Sequence, residues 1–129
     1  MDCPFCLVDK ERQQALWRGA HIYVMPSNPR LVPHHLLVIP NRHMEEPWRL
    51  EQPEYEELFR TILKLQKGVV DSYAPGCDVR QHYRPFLPQS DEKVNHLHWH
   101  ILPRWSRDKL YSDSQIFEST IFEKLTTAE

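Results

Sequence analysis

Residues 96–101 alternate a histidine with a bulky apolar residue, in the order His-Leu-His-Trp-His-Ile. This period of two is typical of a β-strand, because successive side chains of a strand point to opposite faces of its sheet. The pattern predicts that Leu97, Trp99 and Ile101 are buried against a core, whereas the opposite face carries three imidazoles. Imidazoles need hydrogen-bond partners once they are buried, so the second face predicts a chemical site rather than ordinary packing.

The overall composition limits the kinds of partner that the protein can have. The chain of 129 residues is predicted to form a single domain over residues 1–129, and its net charge of −2 provides no basic surface for long nucleic acids. No apolar run is long enough to span a bilayer, and the N-terminal residues lack a signal-peptide pattern. We therefore expect a cytoplasmic protein that binds neither long nucleic acids nor membranes.

The cysteines indicate a metal site more than a disulfide framework. Three cysteines are an odd number, and Cys77 is expected to be a small apolar residue. Cys3 and Cys6 have the spacing of half a zinc site. Because no second Cys-x-x-Cys pair follows, any further zinc ligands would have to come from the eight histidines.

The clearest secondary-structure prediction is a helix over residues 53–73, where apolar residues recur at helical spacing and Pro75 and Gly76 follow. Its charged residues, Glu57 among them, are expected to face solvent. The other predicted elements are shorter. They are strands at 20–25, 35–39 and 77–86, a helix at 9–16, and a helix after a capping box at 112–115, for which a strand or an arm on a partner subunit is the alternative. Together with the histidine strand they predict an α+β fold, with an antiparallel sheet of about five strands and one long helix packed across it.

The residues by themselves leave three interpretations of the histidine strand open. In the first interpretation, the histidine strand is catalytic and acts on a phosphate group. Two arginines and His82 near the end of the preceding strand would then bind phosphate at the rim of the site, or they are merely solvated charges. Alternatively, His96 and His98 bind a catalytic metal, as in cupin-like or carbonic-anhydrase-like enzymes. The third ligand would then come from His35, His43 or His82. In a third interpretation, zinc only staples a non-catalytic interaction module, which leaves His98 and His100 without a role.

Three motifs together resemble the histidine triad (HIT) superfamily of nucleotidyl hydrolases and transferases. The family pattern is His-φ-His-φ-His-φ-φ, where φ is apolar, and residues 96–102 match it throughout. Residues 33–43, which read Pro-His-His-Leu-Leu-Val-Ile-Pro-Asn-Arg-His, are similar to the family's second motif. The N-terminal Cys-x-x-Cys is similar to that of a zinc-binding branch. The three motifs keep the family's order and cover most of residues 3–105.

The resemblance implies a covalent mechanism. His98 would attack the α-phosphorus of a nucleotide or dinucleotide and form a nucleotidyl-histidine that water hydrolyses. His100 would contact the phosphoryl oxygens and protonate the leaving group, and His35 would orient the rings. The bond cleaved would be a phosphoanhydride or a phosphoramidate, as in dinucleoside polyphosphate hydrolases or nucleoside phosphoramidases. The resemblance leaves open the leaving group (an amine, a second nucleotide or a sugar phosphate), the base, and whether water or phosphate is the acceptor.

The resemblance also implies a structural zinc, no organic cofactor and a homodimer that joins two sheets. In the zinc-binding branch, histidines at the positions of His43 and His96 complete the metal site with Cys3 and Cys6. The residues expected to bind the substrate are Ser27, Asn28, Arg84, Gln89 and Ser90. Some of these positions depart from the family, because Ser27 replaces an Asp or Asn that holds the ribose and Arg84 replaces an Asn. Asp91, Glu92 and Lys93 replace the usual Gly-Gln-Ser/Thr.

Overall fold

The computed structural model describes residues 3–7, 15–90, 92–115 and 121–128. Five strands form one antiparallel sheet in the order β1-β2-β3-β5-β4. The elements are β1 (Trp17–Arg18), β2 (Ile22–Pro26), β3 (Leu36–Pro40), α1 (Gln52–Ser72), β4 (Gly76–Arg80) and β5 (Trp99–Arg104). This architecture confirms the predicted α+β fold with one long helix across a five-stranded sheet.

The two faces of the sheet divide the apolar residues between two clusters. The cluster on the helix side contains Ile22, Val24, Val38, Met44, Leu58, Ile62, Leu97, Trp99 and Ile101. The other cluster contains Phe5, Tyr23, Met25, Leu37 and Ile39. The prediction that the apolar partners of the triad are buried is therefore confirmed. His100 lies on the face away from the helix, since it opposes Leu37 of β3 in the register.

Helix α1 begins with a capping box that also holds the loop before it. The Oε1 atom of Glu54 accepts a hydrogen bond from the backbone N–H of Glu51 at 2.9 Å. The same carboxylate accepts two hydrogen bonds from Arg42, at 2.8 and 3.2 Å. The predicted bounds of 53–73 differ from the observed Gln52–Ser72 by one residue at each end.

Two predicted strands were too long. The histidine strand begins at Trp99 rather than at His96, because the N–H of Leu97 donates to the carbonyl of Met44, at 2.7 Å, outside the strand pairing. The strand predicted at 77–86 ends at Arg80, because Arg80 pairs with His100 and β5 extends only one residue further, to Trp99. Beyond that point, the residues that the structure describes provide β4 with no partner strand on this side.

The ends of the chain bear on the remaining predictions. Residues 9–14 of the predicted first helix lie outside the described residues, and β1, which was not predicted, follows them. A π-helical turn occupies Tyr111–Gln115, earlier than the helix predicted after 112–115. Residues 116–120 of that helix lie outside the described residues, and 121–128 are not helical. In the part of the chain that the structure describes, α1 and the shorter helices are too short or too polar to cross a bilayer.

Candidate active site and metal centre

Four side chains from three separate segments converge at one end of the sheet. The Sγ atom of Cys3 lies 3.3 Å from Nδ1 of His96, and Sγ of Cys6 lies 3.3 Å from Nδ1 of His43. Cys6 is also 3.5 Å from Nδ1 of His96. The four ligand atoms all lie within 4.8 Å of one another. The structure thus brings together the four residues that the sequence predicted as metal ligands.

The donor set of this cluster fits a tetrahedral zinc ion. Zinc binds sulfur at about 2.3 Å and nitrogen at about 2.0 Å, so tetrahedral ligand atoms lie roughly 3.3–3.8 Å apart. The three sulfur-to-nitrogen distances above fall in this range. Nε2 of His96 donates to the carbonyl of Pro40 at 2.8 Å, which leaves the lone pair on Nδ1 facing the sulfurs. Burial lowers the pKa of His96 to about 4, so the ring is neutral and able to bind a metal.

The ring of His98 has the opposite protonation pattern. Its Nδ1 donates to the backbone carbonyl of His96 at 2.7 Å, so the proton is on Nδ1 and the lone pair is on Nε2. Burial lowers the pKa of His98 below its ordinary value, which favours the neutral ring. Phe5 packs edge-on against this ring with a centroid distance of 5.1 Å. His98 therefore carries an oriented basic nitrogen.

A hydrogen-bond chain orients His100. The backbone N–H of Leu31 donates to Nδ1 of His35 at 3.1 Å, so Nε2 of His35 carries the proton. Nε2 of His35 then donates to Nδ1 of His100 at 2.8 Å. His100 consequently carries its own proton on Nε2 and has an N–H to offer. The two rings of the site thus differ at Nε2, with a lone pair on His98 and an N–H on His100.

Burial keeps the orienting pair neutral. It lowers the pKa of His35 to about 4, helped by the neighbouring His98 ring and Arg80. It lowers the pKa of His100 to about 3, helped by the neighbouring imidazoles and Arg80. Both rings are therefore uncharged near pH 7. The hydrogen-bond chain from Leu31 through His35 to His100, called the relay below, requires neutral rings.

The predicted substrate-binding residues lie in two loops and at the end of β4. Ser27 begins the loop after β2, where its N–H donates to the carbonyl of His35 at 2.8 Å and its hydroxyl donates to that of Pro29 at 2.7 Å. Asn28 is exposed beside it. A backbone hydrogen bond therefore holds Ser27 beside His35. The hydroxyl of Ser27, however, already donates to Pro29.

The loop before the triad holds two further predicted residues. Oε1 of Gln89 accepts the N–H of Asn95 at 3.1 Å, and Oγ of Ser90 accepts the N–H of Glu92 at 3.2 Å. Both contacts shape the loop that leads into the triad. Arg84 is exposed, four residues beyond the end of β4.

Sequence reasoning missed Phe5 as a neighbour of the site. Its ring packs edge-on against both His96 and His98, and its carbonyl accepts the buried hydroxyl of Tyr23 at 2.6 Å. The available signal was its place between two cysteines of a metal motif. His82, which sequence reasoning did consider, lies with its ring centroid 5.6 Å from that of His100.

Comparison with known proteins identifies relatives along most of the chain. The HIT domain family profile matches residues 20–107. The Bacillus subtilis (strain 168) protein named Protein hit is 23% identical over 109 residues, which cover 82% of this chain and 73% of that protein. Two solved structures share the fold. A Zn-bound histidine triad family protein from Mycobacterium smegmatis is 21% identical, with a TM-score of 0.69 over 85% of this chain and 80% of that one. A HIT family hydrolase from Clostridium thermocellum is 19% identical, with a TM-score of 0.63 over 83% and 94%.

Proposed function

This chain belongs to the HIT domain family, and on that premise we propose that it is a nucleotidyl hydrolase or transferase acting at the α-phosphorus of a nucleotide. The observation that carries the proposal is the pairing of opposite tautomers. Nε2 of His98 has a free lone pair, whereas Nε2 of His100 has a proton. A nucleophile and a donor on one face of the sheet suit displacement at phosphorus. The Clostridium thermocellum relative, named as a hydrolase, supports the same reaction class.

His98 is the nucleophile in this mechanism. Its Nε2 forms a bond to the α-phosphorus as the bond from phosphorus to the leaving group breaks, and the electron pair of that bond departs with the leaving group. Water then attacks the nucleotidyl-histidine, which releases the nucleoside monophosphate and restores the lone pair on His98. The hydrogen bond from Nδ1 to the carbonyl of His96 stabilises the positive charge that the ring gains.

His100 supports the departing group. Its Nε2–H donates to a phosphoryl oxygen or to the leaving atom. His35 holds this ring in place through the 2.8 Å hydrogen bond to Nδ1. His35 is thus a positioning residue. In this proposal Ser27 and Asn28 bind the ribose, and Gln89 and Ser90 shape the loop that leads into the triad.

Zinc held by Cys3, Cys6, His43 and His96 has a structural role in this proposal. A bound zinc ion supplies folding energy by tying the N-terminal segment to the sheet. The four side chains match its geometry, and the Mycobacterium smegmatis relative is a Zn-bound protein. A homodimer completes the proposal. Its support is the free edge of β4 beside exposed apolar residues of α1, which are Tyr55, Phe59, Leu63 and Val70.

The experiment that tests the function traps the covalent intermediate. Protein mixed with an adenylyl substrate and quenched early should gain the mass of one adenylyl group, mapped by peptide analysis to His98. His98→Ala should reduce turnover to background, whereas His100→Ala and His35→Ala should retain measurable rates. His34→Ala, at the exposed neighbour of His35, is the matched control. An adduct elsewhere, or turnover by His98→Ala that chelators abolish, would favour the metal-dependent enzyme.

A further inference from the structure

A positively charged side chain lies directly beside His100. Arg80 is the last residue of β4 and opposes His100 in the register of β4 with β5. Directly opposed residues of an antiparallel pair project to the same face of the sheet. The side chain of Arg80 therefore lies on the histidine face, next to the ring that supports the leaving group.

Two further basic residues continue this surface beyond the end of β4. The ring of His82 lies 5.6 Å from that of His100, centroid to centroid, with 39° between the ring planes. Arg80, His82 and Arg84 line one pocket, and burial and the charges of Arg84 and Arg80 lower the pKa of His82. We call Arg80, His82 and Arg84 the cationic rim.

The guanidinium groups of the cationic rim have N–H donors available for a ligand. Arg80 pairs with Oδ2 of Asp78 at a long 3.5 Å, and the same oxygen accepts a hydrogen bond from Arg104 at 2.5 Å. Arg84 forms no ion pair with any residue in the described ranges, and it is exposed. Guanidinium groups bind phosphate oxygens in bidentate pairs.

We propose that Arg80, His82 and Arg84 bind the leaving group and select one that carries phosphate, such as a nucleoside phosphate or a sugar phosphate, over a neutral amine. The inference rests on the proposed function, because it assigns the leaving-group side of that reaction. The positive charges of the cationic rim stabilise a phosphate-bearing group as it departs from the α-phosphorus. A departing amine has no negative charge for the rim to bind.

The electrostatics around His100 favour the same selection. When a P–N bond breaks, the departing nitrogen must gain a proton, whereas a phosphate departs as a stable anion when a P–O bond breaks. Burial and the surrounding charges, including Arg80, disfavour a protonated His100. The rim therefore opposes departure of an amine while it stabilises departure of an anion.

The test compares two adenylyl substrates on intact protein. Diadenosine tetraphosphate has a leaving group that carries phosphate, and adenosine 5′-phosphoramidate loses ammonia. The wild type should prefer the tetraphosphate, and Arg80→Gln should lower that ratio of kcat/KM about tenfold to 100-fold, since one charge-assisted hydrogen bond is lost. Arg80→Lys keeps the charge and should recover part of the ratio. Arg60→Gln, on the exposed surface of α1, is the matched control and should leave the ratio unchanged.

The outcomes separate the two proposals. If the wild type turns over neither substrate, the proposed function itself fails. If it turns over both and Arg80→Gln and Arg84→Gln keep the wild-type ratio, the rim is refuted and the proposed function stands. A wild-type preference for the phosphoramidate would also refute the rim. A thermal melt of each variant distinguishes a changed ratio from a loss of folded protein.

Discussion

The position of the ring proton on His98 and on His100 is decided by the group that Nδ1 of each ring contacts. Nδ1 of His98 faces a backbone carbonyl, and Nδ1 of His100 faces the N–H of His35. A carbonyl can only accept, so the first contact places the proton on Nδ1, and the second contact leaves it on Nε2. Two residues of the same motif consequently present a lone pair and an N–H at the same atom, Nε2.

The buried relay makes the free energy of unfolding sensitive to acid. The pKa of His35 is about 4 in the folded protein, below the ordinary value of 6.5. The unfolded chain therefore binds more protons at this residue between these two values, so the contribution of His35 to the free energy of unfolding is constant above about pH 6.5 and falls as the pH drops towards 4. One such group contributes about 1.4 kcal/mol per pH unit within this window. His35→Gln should make the fall with decreasing pH shallower by about that amount.

Urea unfolding at a series of pH values from 7.5 to 4.5 checks this prediction, and His34→Gln provides the control. Any acid-induced release of metal is common to the wild type and both variants, so the difference between them reports on His35 together with His100, the ring that it contacts. Equal slopes for the wild type and His35→Gln would contradict the assignment of a buried neutral ring.

At the scale of elements, the N-terminal segment depends on contacts with the sheet rather than on its own length. Residues 4–7 form only a short 3-10 turn, and Phe5 is buried between the triad and the second apolar cluster. The hydroxyl of Tyr23 donates a hydrogen bond to the carbonyl of Phe5 at 2.6 Å. So short an element has little intrinsic stability. Metal binding by the four-ligand cluster would supply the further stability that holds the segment on the sheet.

We expect one zinc ion per chain in freshly purified, untagged protein. Elemental analysis should find it in the wild type and in Cys77→Ala, the matched control at the cysteine outside the cluster. Cys3→Ala should lose most of the zinc, because one of four ligands is removed, and should melt at a lower temperature. A chelator should lower the melting temperature of the wild type towards that of Cys3→Ala. Wild-type protein without zinc would overturn the metal site.

In the hairpin between β1 and β2, a carboxylate of the helix takes the space beside a glycine. A Cβ atom at Gly19 would collide with Oε1 of Glu57, whose other carboxylate oxygen accepts the N–H of His21 at 3.1 Å. The expectation that Glu57 faces solvent was wrong, because the helix packs this carboxylate against the hairpin. Within the described ranges, Oε1 of Glu57 is buried without a hydrogen-bond partner.

At the scale of the whole molecule, one side of α1 is left uncovered beside the free edge of β4. Leu63 is 64% exposed and Phe59 is 47% exposed, values that are high for apolar residues in the middle of a helix. A two-fold axis here would pair the two helices and the two strand edges at once. This surface is where we place the proposed dimer contact.

Leu63→Glu should convert the dimer to a monomer, since it would bury a charge at the centre of that contact. Light scattering over a concentration series measures the change. Lys64→Glu, at the adjacent exposed position, should remain dimeric and controls for the added negative charge. A wild-type protein that stays monomeric at every concentration would contradict the prediction.

Much of this protein was determined by local sequence pattern. The period of two buried Leu97, Trp99 and Ile101, and the helical period located α1 to within one residue at each end. These features depend on neighbours in the chain, so the sequence alone predicts them. The four proposed metal ligands, by contrast, came from the resemblance to the zinc-binding branch of the HIT family.

Tertiary structure decided the ends of the strands and the chemistry of the rings. β4 ends at Arg80 because its partner strand ends, and the proton on His100 is placed by an amide 69 residues earlier in the sequence, at Leu31. Phe5 reaches the triad across about 90 residues of sequence, and Glu57 turns inward because a hairpin meets it. Each outcome depends on which distant group supplies a hydrogen bond or a contact, and only the folded chain brings those groups together.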